Sequence, residues 1–592
     1  MDWPGGQQVN RHSRALLTIL IVAAVGLPYW FYSRGVTAPD VDGPGATALT
    51  RGGAIVATSR TDPPSFNRIA HQAIATELFA VATQGRLIRI NRETQDVEPW
   101  LAEKWQASTD GKTFTLTLRN GLQWSDGTPF TSADVAFTFA ALYDPRTQSP
   151  VTSAMLVNGK PLAVATPDAG TVVVTYPDVF GPGIRLLDLL PIMPKHKLAA
   201  ALAAGTFTKA WAADTPPSEL VSLGPFTLTE YKPGERLIFD RNPRYWRRDA
   251  QGVQLPYADR LTIELVPAQD AELVRLQAGQ SDFTQQPLRA TDIEAMRALK
   301  AQGRVQLLEL GVSPEADSLI FNLRPKKWAK DPRAPWLSRK EFRQAISHAV
   351  DRQAFANTVF LGAAVPINGP VTPGNSHWFS SSVPAYEFSR EKALALLSGI
   401  GLRNRDQDPW LEDEKGVEAR FTLLTFRGNA VLERSAEVIG DALRQIGIAV
   451  DIVALEPNQV RQRVAADGDF EAAMIQITFS DLDPALSRDF WDSSGGSHFW
   501  NAEQKTPGTD WERQIDDLMI KQAATMDDQE RRRLFNDAQR IFAENLPIIY
   551  FAAPRVFIGT SARLMNLHPS LTRPPLMWSV DTMAIKPSPT TR

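Results

Sequence analysis

Seven histidines, at positions 12, 71, 196, 348, 377, 498 and 568, are the side chains of this sequence best suited to proton transfer or metal binding near neutral pH. They stand singly, without the i,i+2 or i,i+4 spacing by which one element offers two ligands to a metal. Cysteine is absent, which excludes disulfide frameworks, thiolate zinc sites, iron–sulfur clusters, thiol nucleophiles and a lipid-bearing cysteine anchor. Carboxylates cluster at Asp406 to Glu414 and at Asp481 to Asp483. Such a pair could cleave a glycoside in an exported hydrolase, but charge clusters of this kind usually form solvated loops. No G-x-S-x-G, H-E-x-x-H, G-x-x-x-x-G-K-S/T or G-x-G-x-x-G motif occurs. The expectation is a protein without catalytic residues, metal or cofactor.

The elements that would carry a binding site belong to a large chain. Its 592 residues suggest two to four domains at roughly 150 residues each. Hydrophobic residues make up 43% and charged residues 22%, the balance of an ordinary folded protein. Sixty-three basic residues against 66 acidic ones, with no long basic run, argue against a nucleic-acid platform.

At the N-terminus, Arg11, His12 and Arg14 precede the uncharged run Ala15 to Tyr32, the order of an export signal. Eighteen helical residues would reach roughly 27 Å, slightly less than a hydrocarbon core, with Tyr29, Trp30 and Tyr32 at interfacial depth. Residues 1–34 are therefore read as either an uncleaved anchor or a signal peptide, cleavable near the small residues Val36, Thr37 and Ala38. The basic residues inside would place the body outside the cytoplasmic membrane. Residues 35–52, rich in Gly, Pro, Thr and Ala, read as a flexible linker.

In the body, alternation predicts strands at Phe114 to Leu118, at Thr171 to Thr175, and on either side of Lys232-Pro233-Gly234. Thr131 with Asp134, Ser338 with Glu341 and Thr525 with Asp528 predict helix N-caps. Leu534, Phe535, Ala538, Ile541 and Phe542 form the core face of a helix.

Local strings across most of the body resemble family 5 of the bacterial extracellular solute-binding proteins, the dipeptide and oligopeptide group that serves ABC transporters. They are Pro99 to Trp105, Asp110-Gly111, Leu118-Arg119, Trp124 to Pro129 and Asp134-Val135, then Gly224-Pro225-Phe226 with Asn242 to Trp246. Phe342 to Ile346 with Ala349 to Arg352, and Leu546 to Tyr550, continue the series. Most of these also read as structural residues: core tryptophans, turns, and an ion pair at a helix end for Asp351 and Arg352. The resemblance implies an α/β, two-lobed fold of the type II periplasmic-binding-protein kind, with an extra domain, a hinge and an interlobe cleft. By motif order, 53–80, 222–318 and 556–592 would form lobe I, 81–221 would pack on it, and 319–555 would form lobe II.

The same resemblance implies capture of a peptide or similar small solute by a monomer, and delivery to an ABC-transporter permease. The alternatives are a membrane-tethered sensory or chaperone-like binding protein, and a member binding nickel or another solute, the nickel version requiring His377 and His498 to converge. In peptide-binding relatives, a loop after a strand supplies an aspartate for the ligand's amino group. The matching stretch here is Ile475 to Pro484, where the upstream tryptophan is missing and Asp481 is offset by about one position. Ser480 and Asp481 are the candidate ligand-binding residues on that loop. Arg427 and Asn429, after the apolar run Phe421 to Phe426, would open onto the same cleft, and His71 and Gln72 would face them from lobe I.

Overall fold

A computed structural model describes residues 49–586 apart from 407 and 478–480. The expected export segment, most of the linker, and Ser480 lie outside the described residues. Among the described residues no helix is long and apolar enough to cross a membrane.

The hairpin predicted around Lys232-Pro233-Gly234 joins strands Phe226–Lys232 and Arg236–Arg241. Gly234 takes φ +73°, a turn geometry that costs glycine nothing. Strand Arg260–Leu265 pairs antiparallel with this hairpin, and Ala54–Ser59 adds to it in parallel register. A parallel partner cannot be reached by a tight turn. The chain between those two strands carries a second sheet, ordered Ala102–Ala107, Thr113–Leu118, Thr171–Thr175, Ala163–Asp168. Helix Ser132–Tyr143 follows Thr131, whose hydroxyl and Asp134 form the predicted capping box. One continuous apolar cluster, including Phe66, Phe79, Leu116, Trp124, Phe226 and Phe239, runs through both sheets. The inserted segment therefore shares its core with the first lobe.

A five-stranded sheet builds the other lobe, ordered Ala449–Leu455, Arg420–Phe426, Ala472–Gln476, Asp317–Phe321, Ile548–Tyr550. Every residue of Asp317–Phe321 is buried. Leu319 and Phe321 join the core on one face and Ile320 the core on the other, as a sheet covered on both sides requires. Helices Ala430–Arg444 and Asp528–Asn545 supply opposite covers through Ile439 and Leu443, and through Phe535 and Phe542.

Val305–Val312 and Ala552–Ser561 form a long antiparallel pair, with a bulge at Glu309 and Gly311. Gly311 sits there at φ +108°, which favours glycine. Ala364–Pro366 pairs with the start of the second strand. The boundary expected between residues 555 and 556 thus falls within a continuous strand, and the one between 318 and 319 falls inside Asp317–Phe321.

Three local expectations change. The Ser338 hydroxyl donates to the Ala334 carbonyl, and helix Lys340–Ala349 begins without a side-chain cap. The Thr525 hydroxyl likewise donates backwards, to Lys521, while Asp527 caps the next helix by accepting from Glu530. Both hydroxyls satisfy the end of a preceding helix instead of the start of the following one. Asp351 and Arg352 are not an ion pair. Asp351 accepts from the amides of Gln353 and Ala354, and Arg352 is buried, donating to the carbonyls of Ser347, Ile367, Tyr386 and Tyr550. Burial without a carboxylate lowers the Arg352 guanidinium to about 10.

Candidate functional site

Two adjoining cavities lie between the lobes, of about 300 Å³ and about 210 Å³. Asp481, Leu482, Thr572 and Arg573 line both, so this short seam separates one cleft into two halves.

The larger half is the more polar. Arg68, Arg86, Arg92, Arg185 and Arg573 line it against Glu77, Asp188 and Asp481, five arginines to three carboxylates. Helix Ile74–Thr83 carries Glu77 in its first turn, where the backbone dipole favours an anion. Glu77 accepts from Arg68 at 2.6 Å and Arg86 at 2.7 Å. Burial alone would raise its carboxyl, but Arg86 and Arg68 outweigh that and hold it down to about 2.

The smaller half is apolar. Trp491, Phe535, Pro314, Pro370, Val371, Pro484 and Leu571 line it with Asn375 and Glu315. Trp491 meets Phe535 edge-on at 5.1 Å and Phe542 at 5.5 Å. The wall is therefore the inner surface of the second lobe's core.

Arg185 ties the two sides together. Its Nε lies 2.9 and 3.1 Å from the Asp481 carboxylate oxygens, and its Nη groups donate to the carbonyl and the side-chain oxygen of Gln95. Gln95 holds φ +68°, an uncommon geometry for a residue with a Cβ, which brings both of its oxygens onto one guanidinium. Burial opposes the charge of Arg185, but Asp481 outweighs that and raises its pKa above the usual arginine value. A second contact joins the same two sides of the chain, where the Gly181 amide donates to the Ala523 carbonyl at 2.5 Å. A Cβ at Gly181 would collide with the Thr525 carbonyl and the Arg531 side chain.

Asp481 is buried and also accepts from the Asp483 amide at 2.8 Å. Asp483 in turn receives two hydrogen bonds from Arg531, at 2.9 and 2.6 Å, and Asn375 donates to the Leu482 carbonyl. Residues 481–483 are thus held in place, and the Asp481 carboxylate already has a cationic partner. Gln72 lines the polar half beside Ala73 and Ile74. His71, one residue away, is in neither lining. Arg427 and Asn429 also lie outside both. Arg427 is exposed and donates to the Ala454 carbonyl, and Asn429 caps helix Ala430–Arg444 by accepting from Val431 and Leu432.

The histidines invoked for nickel do not share a site. His377 is exposed beside Asp528, whereas His498 is buried between Glu512 and the Phe490 carbonyl. Sequence reasoning missed Arg68, Glu77, Arg86 and Arg185, whose spacings carry no local pattern. It read Phe535 as a core residue only, since a helix stripe shows burial but not that its edge borders a cavity.

A family model described as "Bacterial extracellular solute-binding proteins, family 5 Middle" matches residues 96–499. A probable ABC transporter-binding protein of Deinococcus radiodurans is 28% identical over 510 residues, 83% of this chain and 85% of the relative. The dipeptide-binding protein of Escherichia coli is 27% identical over 526 residues, 85% and 90% of the two chains. The oligopeptide-binding protein AppA of Bacillus subtilis, in complex with a nonapeptide, superposes with a TM-score of 0.69 at 22% identity, covering 91% of this chain and all of the other. Matches also include a heme-binding protein, an alpha-galactoside-binding protein and NikZ in complex with Ni(L-His), so ligand type varies across these similar proteins. Family 5 proteins are periplasmic or extracellular binding proteins rather than enzymes. With an α/β two-lobed architecture of the type II periplasmic-binding kind and a family match across most of its length, this chain belongs to family 5 of the bacterial extracellular solute-binding proteins.

Proposed function

We propose that this protein captures a short peptide in the divided cleft and delivers it to an ABC-transporter permease, without chemical change to the ligand. The observation that carries this reading is the pairing of an arginine-rich half, with two more arginines than carboxylates, and an aromatic half across one seam. A peptide's terminal carboxylate suits the first and its side chains the second. Closure then works as in other hinged binders: the ligand favours the closed state by the contacts made only there. Residues 1–34 would export the chain and, if uncleaved, tether it beside the permease as a monomer; cell fractionation reads which.

Asp481, with Ser480 before it, is the proposed reader of the ligand's ammonium, in competition with Arg185. Calorimetry with one peptide in three forms tests this. C-terminal amidation should weaken binding at least about tenfold, roughly 1.4 kcal/mol, by removing the anion. Asp481→Ala should cost the unblocked peptide at least about tenfold and the N-acetylated one much less. Equal losses for both would assign Asp481 to holding Arg185 alone. If no peptide, blocked or free, binds or raises the melting temperature, the peptide reading fails.

A further inference from the structure

The acidic run Asp406 to Glu414, expected as a solvated loop, contains a buried carboxylate. Glu412 is 6% exposed and its Oε1 has no hydrogen-bond partner. Among the described residues, no ion pair reaches it. Its backbone is fixed: Glu412 and Arg403 exchange two hydrogen bonds at 3.0 Å, Glu412 bridges to Glu418, and Leu411 donates to the Gly447 carbonyl. The side chain is therefore held inward by a small ladder rather than left to find water. A buried carboxylate oxygen without a partner is costly, and such an oxygen is normally compensated by a donor or a cation.

The compensation stands next to it. One carboxylate oxygen from each of Asp406, Asp408 and Glu412 lies within 4.8 Å of the others. Asp406 is exposed and Asp408 half-buried, so the cluster opens to solvent on one side. Both aspartates are oriented by backbone amides, since Asp406 accepts from Asp408 and Asp408 accepts from Trp410 at 2.7 Å. Each of those carboxylates keeps lone pairs for a further ligand.

We infer that Asp406, Asp408 and Glu412 hold a calcium ion in the second lobe, away from the cleft. The donors are all hard carboxylate oxygens, without nitrogen or sulfur, which suits Ca²⁺ over zinc or nickel. An irregular set with an open side suits Ca²⁺, which accepts six to eight oxygens including waters, better than Mg²⁺, which needs a near-regular octahedron. Aspartates two residues apart in a turn, followed by a glutamate, are the way a single loop converges oxygens on such an ion. The bound ion would neutralise Glu412 and pin the turn between Arg403 and Glu418, giving a structural rather than a catalytic role.

The test uses the full chain, stripped with EDTA and titrated with calcium chloride. One ion per chain should bind with sub-millimolar affinity, and the melting temperature should rise in calcium and much less in equal magnesium. Asp408→Asn should weaken calcium binding at least about tenfold. Glu412→Gln should abolish the calcium-dependent rise, yet melt in EDTA at or above the wild type, because a neutral amide removes the uncompensated charge. No calorimetric heat and no melting shift in the wild type up to about 10 mM calcium, ten times the weak end of extracellular sites, would overturn the assignment. So would a calcium response unchanged in both variants. If Glu412→Gln fails to fold, Asp408→Asn, at a half-exposed position, carries the decision alone.

Discussion

The two halves of the cleft are built by different physics. On the first-lobe side, shape is fixed by ion pairs: Glu77 clamps Arg68 and Arg86, and Arg92 lies 3.7 Å from Asp188. On the second-lobe side, shape is fixed by packing, with Trp491 and Phe535 braced against Phe542 and Trp378. The difference shows how one site can combine charge specificity with tolerance. Mutually paired arginines hold their positions and present a net positive field, whereas an aromatic wall accepts any apolar group of suitable size. It also separates the sensitivities of the two halves: the first should respond to charge and pH, the second to volume.

The strongest break of that comparison is Glu77→Ala. It leaves two largely buried guanidinium groups without their carboxylate, and removing one partner of such a group costs about 3–5 kcal/mol. Urea denaturation should show this loss, and Glu77→Gln should recover only part of it. The pH dependence has a definite sign. Because the folded carboxyl is held near 2, below its unfolded value of about 4.3, its stabilisation is present above about pH 4 and is lost as pH falls toward 2.

A carboxylate of the opposite kind lies in the second lobe, outside both cavity linings. Asp317, at the start of its strand, is pushed up to about 7 by burial, with Glu315 adding to the shift. The Gln476 amide donates to it at 3.3 Å, and Glu315 itself lies in the cavity wall. Folding therefore favours the protonated form. Its stabilisation is complete below about pH 4 and is lost as pH rises through about 7, on the order of 4 kcal/mol over that window. Asp317→Asn, compared with wild type in melting scans at successive pH values, should remove this decline. An identical pH profile in the two proteins would show that Asp317 titrates normally.

What the sequence conveyed follows the range of the underlying interactions. Strands at Thr171–Thr175 and Phe226–Lys232, the Thr131 cap and the Phe535 helix face are set within a few residues, and each was legible. The family resemblance supplied the two-lobed fold. Of the polar half only Gln72 and Asp481 were legible: Arg68 and Arg86 each reach Glu77 across nine residues, a spacing with no element period, and Arg185 joins them only when the inserted segment folds back on the first lobe. The Asp481 loop was found from the strand before it, but its pairing with Arg185 joins residues 296 apart in sequence. The caps at Ser338 and Thr525 failed for a local reason: a hydroxyl between two helices can serve either end, and here both serve the earlier one.

Closure of the two halves onto each other is tested by Gly181→Val. The added side chain would meet the Thr525 carbonyl, so the penalty falls on the contact between the inserted segment and the second lobe. Peptide affinity should fall at least about tenfold, roughly 1.4 kcal/mol, and small-angle scattering should record a more extended particle. The separate lobes keep their cores, so urea stability without ligand should change less than it does in Glu77→Ala. Unchanged scattering together with unchanged affinity would show that the lobes approach elsewhere.

The smallest expected effect is the most direct check on which residues belong to the cleft. Arg427 and Asn429 follow a buried strand, as binding residues in hinged proteins do, yet the structure commits both to local work. The Arg427 guanidinium is exposed, 3.5 Å from an equally exposed Glu456, a pairing worth little in water because both ends stay hydrated. Arg427→Ala should therefore leave peptide affinity within about twofold, since a surface substitution away from the site shifts free energy by about 0.5 kcal/mol or less. Asn429→Ala removes a helix cap and should cost about 1 kcal/mol in stability, again with affinity almost unchanged. If either substitution instead weakened binding as strongly as Asp481→Ala, the ligand would have to reach past the aromatic half to the end of strand Arg420–Phe426, and the division of the cleft into two halves would be incomplete.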